Sequence, residues 1–364
     1  MCISRREMKK LQYLFHFCLS MNVFCRLLLV VLYNKRLVST FLVLMKTLNK
    51  YLLMTVLFLG CCVQLKAQFD AHFSHYWALQ SYFNPASIGS AGRLNITGTY
   101  SSQMTGFTRS ARTMYFSGDT PLPFASQQHN VGVGLFNETI GLFTNQRLFV
   151  QYAFRTKQLW GGRLSGGVQL GMLSEKFDGS KVDFGEAEGS ASSDPAFPTS
   201  EAEGTAFDLG VGFHFVHPLF YVGLSASHLN SPEVLLAETN EFQISPAFYL
   251  MGGCNIQLRN PLLSIQPSLM VQSDGVGLRT DITGRLTYTY DGKSYYGGLG
   301  YSPTISCTFL LGGTIQGINV GYAYEMFTSQ IGAGHGNHSL IVGYQMDLDF
   351  FKKGKNRHKS IRIL

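Results

Sequence analysis

Of 364 residues, 45% are hydrophobic and 14% charged, whereas an ordinary soluble domain carries about a quarter charged residues. The net charge of +7 does not describe the body of the chain: residues 67–351 hold 13 Lys and Arg against 21 Asp and Glu, a balance of −8. The basic residues crowd the two ends, so a nucleic-acid partner loses its main support.

In chain order, residues 1–44 precede what reads as a complete export signal, and are expected to be an over-extended start rather than part of the mature protein. Residues 45–67 carry a basic opening (Lys46, Lys50), an apolar run from Tyr51 to Val63 and the small-residue-ended Leu65-Lys66-Ala67, the pattern of a signal peptide cleaved before Gln68. The apolar run is shorter than the roughly 20 residues that span a bilayer as a helix. Phe58-Leu59-Gly60-Cys61 is an imperfect lipobox, which keeps lipoprotein processing as the rival. Five of the seven cysteines lie before residue 63, leaving Cys254 and Cys307, whose setting does not demand a disulfide.

Residues 68–92 are aromatic and do not alternate. Phe73, Tyr76, Trp77, Phe83, Asn84 and Pro85 are the candidate contacts of this segment, either with a partner protein or as a plug. From 93 to 351 period-two alternation replaces any helical period. Leu148, Val150, Tyr152 and Phe154 alternate with Phe149, Gln151, Ala153 and Arg155, and Ile318 to Met326 and Leu340 to Phe350 repeat the pattern. One face is apolar and aromatic, the other small, polar or charged, which fits strands with lipid on one side and a lumen on the other. Backbone amides in lipid must all be paired, so such strands have to close on themselves.

The expected fold is therefore all-β, a transmembrane antiparallel β-barrel of about 14 strands. The candidates are 94–103, 111–119, 129–138, 146–156, 163–175, 205–216, 218–229, 241–257, 261–273, 278–290, 293–301, 304–316, 317–328 and 338–351. A soluble β-sandwich or propeller explains the alternation but not the apolar face together with an export signal. The acidic, Gly/Ser-rich stretch 178–204 reads as a long extracellular loop, and 352–364 as a basic, solvated tail.

Parity places Arg147, Arg155, Asp208, Arg279, Asp281, Arg285, Glu325, Asp347 and Asp349 on the polar face. Either they form mutually paired, hydrated lumen charges, or they make a network that seals the lumen or binds the 68–92 segment. Catalytic and cofactor signatures are missing: there is no G-x-S-x-G elbow, no Walker A and no Cys/His metal spacing. His335 and His338 sit in a glycine-rich loop with no carboxylate beside them, a poor metal site. Asp208 and His214 share a face but lie about 20 Å apart along a strand, too far to act together. The expectation is no enzyme, no metal and no cofactor.

Several stretches resemble the PorP/SprF family of type IX secretion system membrane proteins. Gln68 to Tyr76 and Asn84-Pro85-Ala86-Ser87-Ile88-Gly89 are similar to its opening. Tyr115 to Leu122, Leu164 to Gly171, Phe207 to Gly212 and Tyr221 to Leu229 follow in the family's order, and so do Gln266-Pro267-Ser268, Gly321 to Glu325 and His338-Ser339-Leu340. Phe69-Asp70 inverts the family's usual order, and His75 stands where Gln is usual. The resemblance implies a FadL-like barrel in the outer membrane of Bacteroidetes-type bacteria. The implied partners are outer-membrane lipid, other type IX secretion components and a secreted adhesin or cargo with a C-terminal sorting domain, in some members with a link to gliding motility. The rival function is a FadL-like transporter or porin for small solutes.

Overall fold

The computed structural model describes residues 70–90, 92–122, 128–181, 200–236, 240–328 and 335–346. The expectations for 1–67, for Asp347 and Asp349, for the tail 352–364 and for most of the 178–204 loop lie outside the described residues.

The strands are β1 (Leu94–Ser102), β2 (Arg112–Pro121), β3 (His129–Ile140), β4 (Phe143–Leu159), β5 (Gly162–Asp178) and β6 (Glu201–Val216). Next come β7 (Phe220–Ser227), β8 (Glu233–Leu236), β9 (Asn240–Gln243), β10 (Ala247–Cys254), β11 (Ile256–Gln257) and β12 (Leu263–Ser273). The last five are β13 (Leu278–Tyr290), β14 (Lys293–Ser302), β15 (Ser306–Ile315), β16 (Ile318–Phe327) and β17 (Asn337–Met346). Strands β10 and β11 form one wall strand interrupted at Asn255. Counted that way, 14 strands pair antiparallel with their neighbours around the wall. The register Leu94↔Met346 to Ser102↔His338 joins β1 to β17 and closes the sheet.

Closure gives every wall strand a neighbour on both sides, which is what a sheet in hydrocarbon needs. The outward faces fit that solvent: Met114, Phe116, Leu148, Val150, Met172 and Phe213 are 51–61% exposed. Trp160, Tyr288, Tyr290 and Tyr295 lie at one rim of this belt, and Tyr100, Phe143 and Phe248 towards the other. Aromatic girdles of this kind flank the lipid-facing band of transmembrane barrels. Successive inward residues on the same strands, such as Gln151, Ala153 and Arg155, are buried.

Strand alternation sorts the connections. One end, here the turn end, has the tight hairpins Trp160-Gly161, Asp291-Gly292 and Gln316-Gly317 together with Leu94 and Met346. Both residues of each hairpin have positive φ (50° and 77°, 49° and 70°, 51° and 83°), the geometry that suits a two-residue turn to the twist of its strands. The opposite, loop end carries the longer connections, including 179–200 between β5 and β6.

One strand candidate needs correction. The stretch 241–257 is not a single strand: β9 ends at Gln243, and the wall resumes only at Ala247. Alternation runs on through Phe242 and Ile244, but Pro246 has no N–H for the ladder and breaks it. Residues 233–243 instead make the two-stranded hairpin β8–β9. Its Val234, Leu236, Phe242 and Ile244 pack on Leu173, Ala202 and Ala206, which belong to the inward faces of β5 and β6. The hairpin therefore folds into the mouth of the barrel.

Candidate functional site: a segment inside the barrel

Residues 70–90 lie inside the wall. The chain starts at the loop end with Asp70, turns through residues 74–78, forms the single helical turn α1 (Gln80–Phe83) and a 3-10 turn at Pro85–Ser87, and reaches the turn end before β1. Phe73, Tyr76, Phe83, Asn84 and Pro85 are buried and Trp77 is half-buried.

At the loop end the contacts are electrostatic. Asp70 accepts from Arg147 Nη2 at 2.6 Å and Nη1 at 3.2 Å, from Tyr249 Oη at 2.7 Å and from His228 Nε2 at 3.3 Å. His228 donates its other ring N–H, from Nδ1, to Asp208 at 2.8 Å. Burial works against ionising Asp70, yet the Arg147 guanidinium and His228 outweigh it and hold the carboxyl well below its usual range. Burial also opposes charge on His228, but Asp70 and Asp208 lift it to about 9. With both ring nitrogens protonated, the 3.2 Å approach of Arg147 Nη1 to His228 Nε2 brings together two donors that share one carboxylate. Arg147 also donates to Tyr82 Oη at 2.6 Å and lies 4.1 Å over the Phe136 ring.

A second charged group faces this one across the lumen. Arg279 bridges Asp281 at 3.1 Å and Glu325 at 2.9 Å, and His72 lies 3.7 and 3.8 Å from the same two carboxylates. Those approaches alone would favour an imidazolium. Burial and the neighbouring Arg279 outweigh them and lower the His72 pKa, so these contacts join a neutral ring to carboxylates already taken by Arg279.

Mid-lumen packing is aromatic. Tyr82 lies edge-on to Phe73 at 4.9 Å, Phe83 at 4.9 Å and Tyr115 at 5.1 Å, arrangements worth about 0.5–1.5 kcal/mol each beyond burial. Across the lumen, Arg285 stacks 3.4 Å over Trp77, and Tyr76 Oη lies 3.1 Å from Ser268 Oγ. His75 is enclosed, and neither ring nitrogen has a hydrogen-bond partner among the described residues. Burial, aided by Arg285, pushes its pKa down to about 3.

The turn-end half is held by shape and backbone bonds. Asn84 caps the 3-10 turn, Oδ1 accepting from Ala86 N at 2.9 Å, and its Nδ2 donates to the Phe213 carbonyl at 2.9 Å. Wall donors meet the segment's carbonyls: Gln151 to Ser81 at 2.7 Å, Ser225 to Phe83 at 2.7 Å and Arg155 to Ile88 at 3.1 Å. Gly89 N donates to Asp119 at 2.7 Å. Gly167 and Gly212 face each other across β5 and β6 under the Asn-Pro-Ala turn. A Cβ on Gly167 would sit 2.5 Å from the Ala86 amide, and one on Gly212 would sit 2.1 Å from Asn84 Oδ1. Only bare backbone lets the turn come this close.

Of the charges assigned to the polar face, Arg147, Arg155, Asp208, Asp281, Arg285 and Glu325 are buried and Arg279 nearly so. Arg147, Arg155 and Arg285 each touch the inner segment; Asp208 reaches it through His228. Sequence reasoning missed Asp70, His228, Tyr249, Gly167 and Gly212 as contributors. A signal for most of them existed: the stretches Tyr115–Leu122, Leu164–Gly171, Phe207–Gly212 and Tyr221–Leu229 supply Tyr115, Asp119, Gly167, Asp208, Gly212, Ser225 and His228. The remaining polar clusters do less. His335 Nδ1 lies 3.0 Å from the Thr105 carbonyl and His338 pairs with Tyr322, and no group of three or more potential metal ligands occurs among the described residues. Cys254 and Cys307 are free thiols.

A closed antiparallel wall, apolar outside and polar inside, defines an outer-membrane β-barrel protein. Comparison with known families goes further: this chain belongs to the type IX secretion system membrane protein PorP/SprF family, whose profile matches residues 65–344. Both the family and the fold are those of a secretion-system membrane protein rather than an enzyme. A comparison with curated proteins found no match. Among solved structures, the toluene transporter TodX of Pseudomonas putida is similar at 9% identity and TM-score 0.44, covering 77% of this chain and 95% of its own. A FadL homologue of Pseudomonas aeruginosa is similar at 11% identity and TM-score 0.43, covering 72% and 92%.

Proposed function

We propose that this barrel is a non-enzymatic accessory of type IX secretion that holds, or helps to attach at the cell surface, a large partner protein such as an adhesin or a cargo with a C-terminal sorting domain. In this reading residues 70–90 are a resident plug, and the charged groups around Arg147 and Arg279 are its anchors. Export follows cleavage before Gln68. The observation that carries the proposal is the way this segment is tied to strands on every side of the lumen, from Tyr115 and Arg147 to Tyr249, Ser268 and Arg285. A barrel so occupied is built as a rigid support more than as a passage.

The test is deletion of the gene followed by a surface proteome, with affinity purification of the tagged barrel. Loss of a particular large surface protein, and its recovery with the barrel, is the expected result. A normal surface proteome combined with solute-dependent conductance of the purified barrel would favour the small-solute transporter instead.

A further inference from the structure

The loop end contains a cavity of about 300 Å³ between the wall, the inward-folded hairpin and Asp70. Its polar lining holds three carboxyl groups, Asp70, Glu138 and Glu175, with Asn145, Ser245 and His228. Glu138, Asn145 and Glu175 stand side by side on β3, β4 and β5, because Glu138 pairs in register with Asn145 and Asn145 with Glu175. Glu138 Oε1 accepts from Thr113 at 2.8 Å, and Glu175 Oε1 accepts from Asn145. Glu175 is only 6% exposed. Asn145 Oδ1 is also buried and unpartnered.

The nearby cations are already committed. Arg147 and His228 serve Asp70, and His228 also serves Asp208. Four carboxyl groups (Asp70, Asp208, Glu138, Glu175) thus stand near two cations, and no ion pair of Glu138 or Glu175 occurs among the described residues. A buried carboxyl without a cationic partner favours its neutral form, and an arriving cation favours the carboxylate. The opposite wall is apolar: Phe242 and Ile244 of the hairpin close over the carboxylates. The hairpin is held close, since a Cβ on Gly204 would lie 2.2 Å from the Leu235 carbonyl.

We propose that this cavity binds a primary ammonium group carried on a short apolar stem, with the ammonium against Glu138, Asn145 and Glu175 and the stem against Phe242 and Ile244. An ammonium has three donors and no acceptor, which matches three convergent acceptors. The volume lies at the small end of ligand cavities, room for a short alkyl chain. A free amine and the lysine side chain of a protein segment offer the same chemistry.

The test is thermal unfolding and calorimetric titration of the full barrel in detergent. One arm uses n-butylammonium chloride, another the peptide acetyl-Leu-Lys-Leu-amide, and n-butanol and butyrate are the controls. The site predicts that one or both amines raise the melting temperature while n-butanol and butyrate do not, and the tighter arm identifies the source. The double variant Glu138→Gln with Glu175→Gln is expected to weaken amine binding by at least about tenfold. If that variant does not fold, Ile244→Trp, on the hairpin, fills the cavity and is expected to abolish binding. Equal stabilisation by n-butanol, amine affinity unchanged in a folded variant, or no response to either amine at millimolar concentration would overturn the proposal.

Discussion

The two halves of the inner segment are held by different physics. From Asp70 to Phe73 the hold is charge: one carboxylate answers Arg147, His228 and Tyr249 at once. From Asn84 to Ser90 it is shape, with a rigid Asn-Pro-Ala turn seated on two glycines, Asn84 Nδ2 donating to the Phe213 carbonyl and Arg155 donating to the Ile88 carbonyl. A buried charge cluster is strong while complete and fails when one member goes. The glycine seat itself does not titrate, although Asp119 accepts from Gly89 N at its edge, and it fails only when filled. The same segment should therefore loosen from opposite ends under different perturbations, and amide hydrogen exchange along 70–90 can report each end separately.

The largest expected effect is at the charged end. Asp70→Ala leaves Arg147 buried without its carboxylate, which costs on the order of 3–5 kcal/mol. Amides near 70–73 should lose protection first, with those near 84–89 following only in part. If exchange rises evenly along the segment, the two ends are not independent and the comparison fails.

Alkaline pH comes next. His228 is lifted to about 9 from an ordinary value of 6.5, so its contribution is complete below about 6.5 and fades as pH rises through 9. The shift corresponds to roughly 3 kcal/mol, drawn from the loop end alone. Acid acts differently. The His75 ring stays neutral in the fold down to about 3, so the segment begins to lose stability as pH falls below 6.5, when the released chain can take up a proton and the docked one cannot. Asp70 adds to the loss only at still lower pH, as its own depressed value is approached. Protection factors, corrected for base-catalysed intrinsic exchange, should differ between pH 7 and pH 10 near residue 70 and agree near Asn84. His228→Gln should remove the alkaline step, and a step that survives the substitution belongs to another group.

The smallest of the three is steric. Gly167→Ala places a methyl against the Ala86 backbone and is expected to cost about 1–3 kcal/mol, independent of pH. Amides at 84–89 should exchange faster while the Asp70 contacts persist. A neutral result would mean that the turn can slide on β5, which would remove the steric half of the contrast.

How much of this could be read beforehand depends on how local each feature is. Strand positions follow from a side-chain period of two, a property of neighbouring residues, so the alternation predicts β13 over its full span 278–290, and Leu148, Val150, Tyr152 and Phe154 face outward as it requires. The hairpin β8–β9 escaped notice because Phe242 and Ile244 keep the alternation of a wall strand, and nothing in their spacing says that Pro246 ends one unit before the next begins. Asp208 illustrates the limit for the site. On its own strand the candidate partner, His214, lies about 20 Å away and out of reach. Its true partner, His228, lies just past the end of the neighbouring strand, within reach only once β6 and β7 are in register.

The chain's own sequence thus determined a closed transmembrane barrel, its lipid-facing and lumen-facing residues, its acidic body and, through ordered landmarks, its family. Those features rest on alternation, composition and local order, which exist before the chain folds. Tertiary structure alone decided what the landmarks hold: Gly167, Gly212, Asp119, Ser225 and His228 meet residues 70–90 across separations of up to 158 positions. Closing the barrel sets the register, and the register brings these distant residues onto one buried segment.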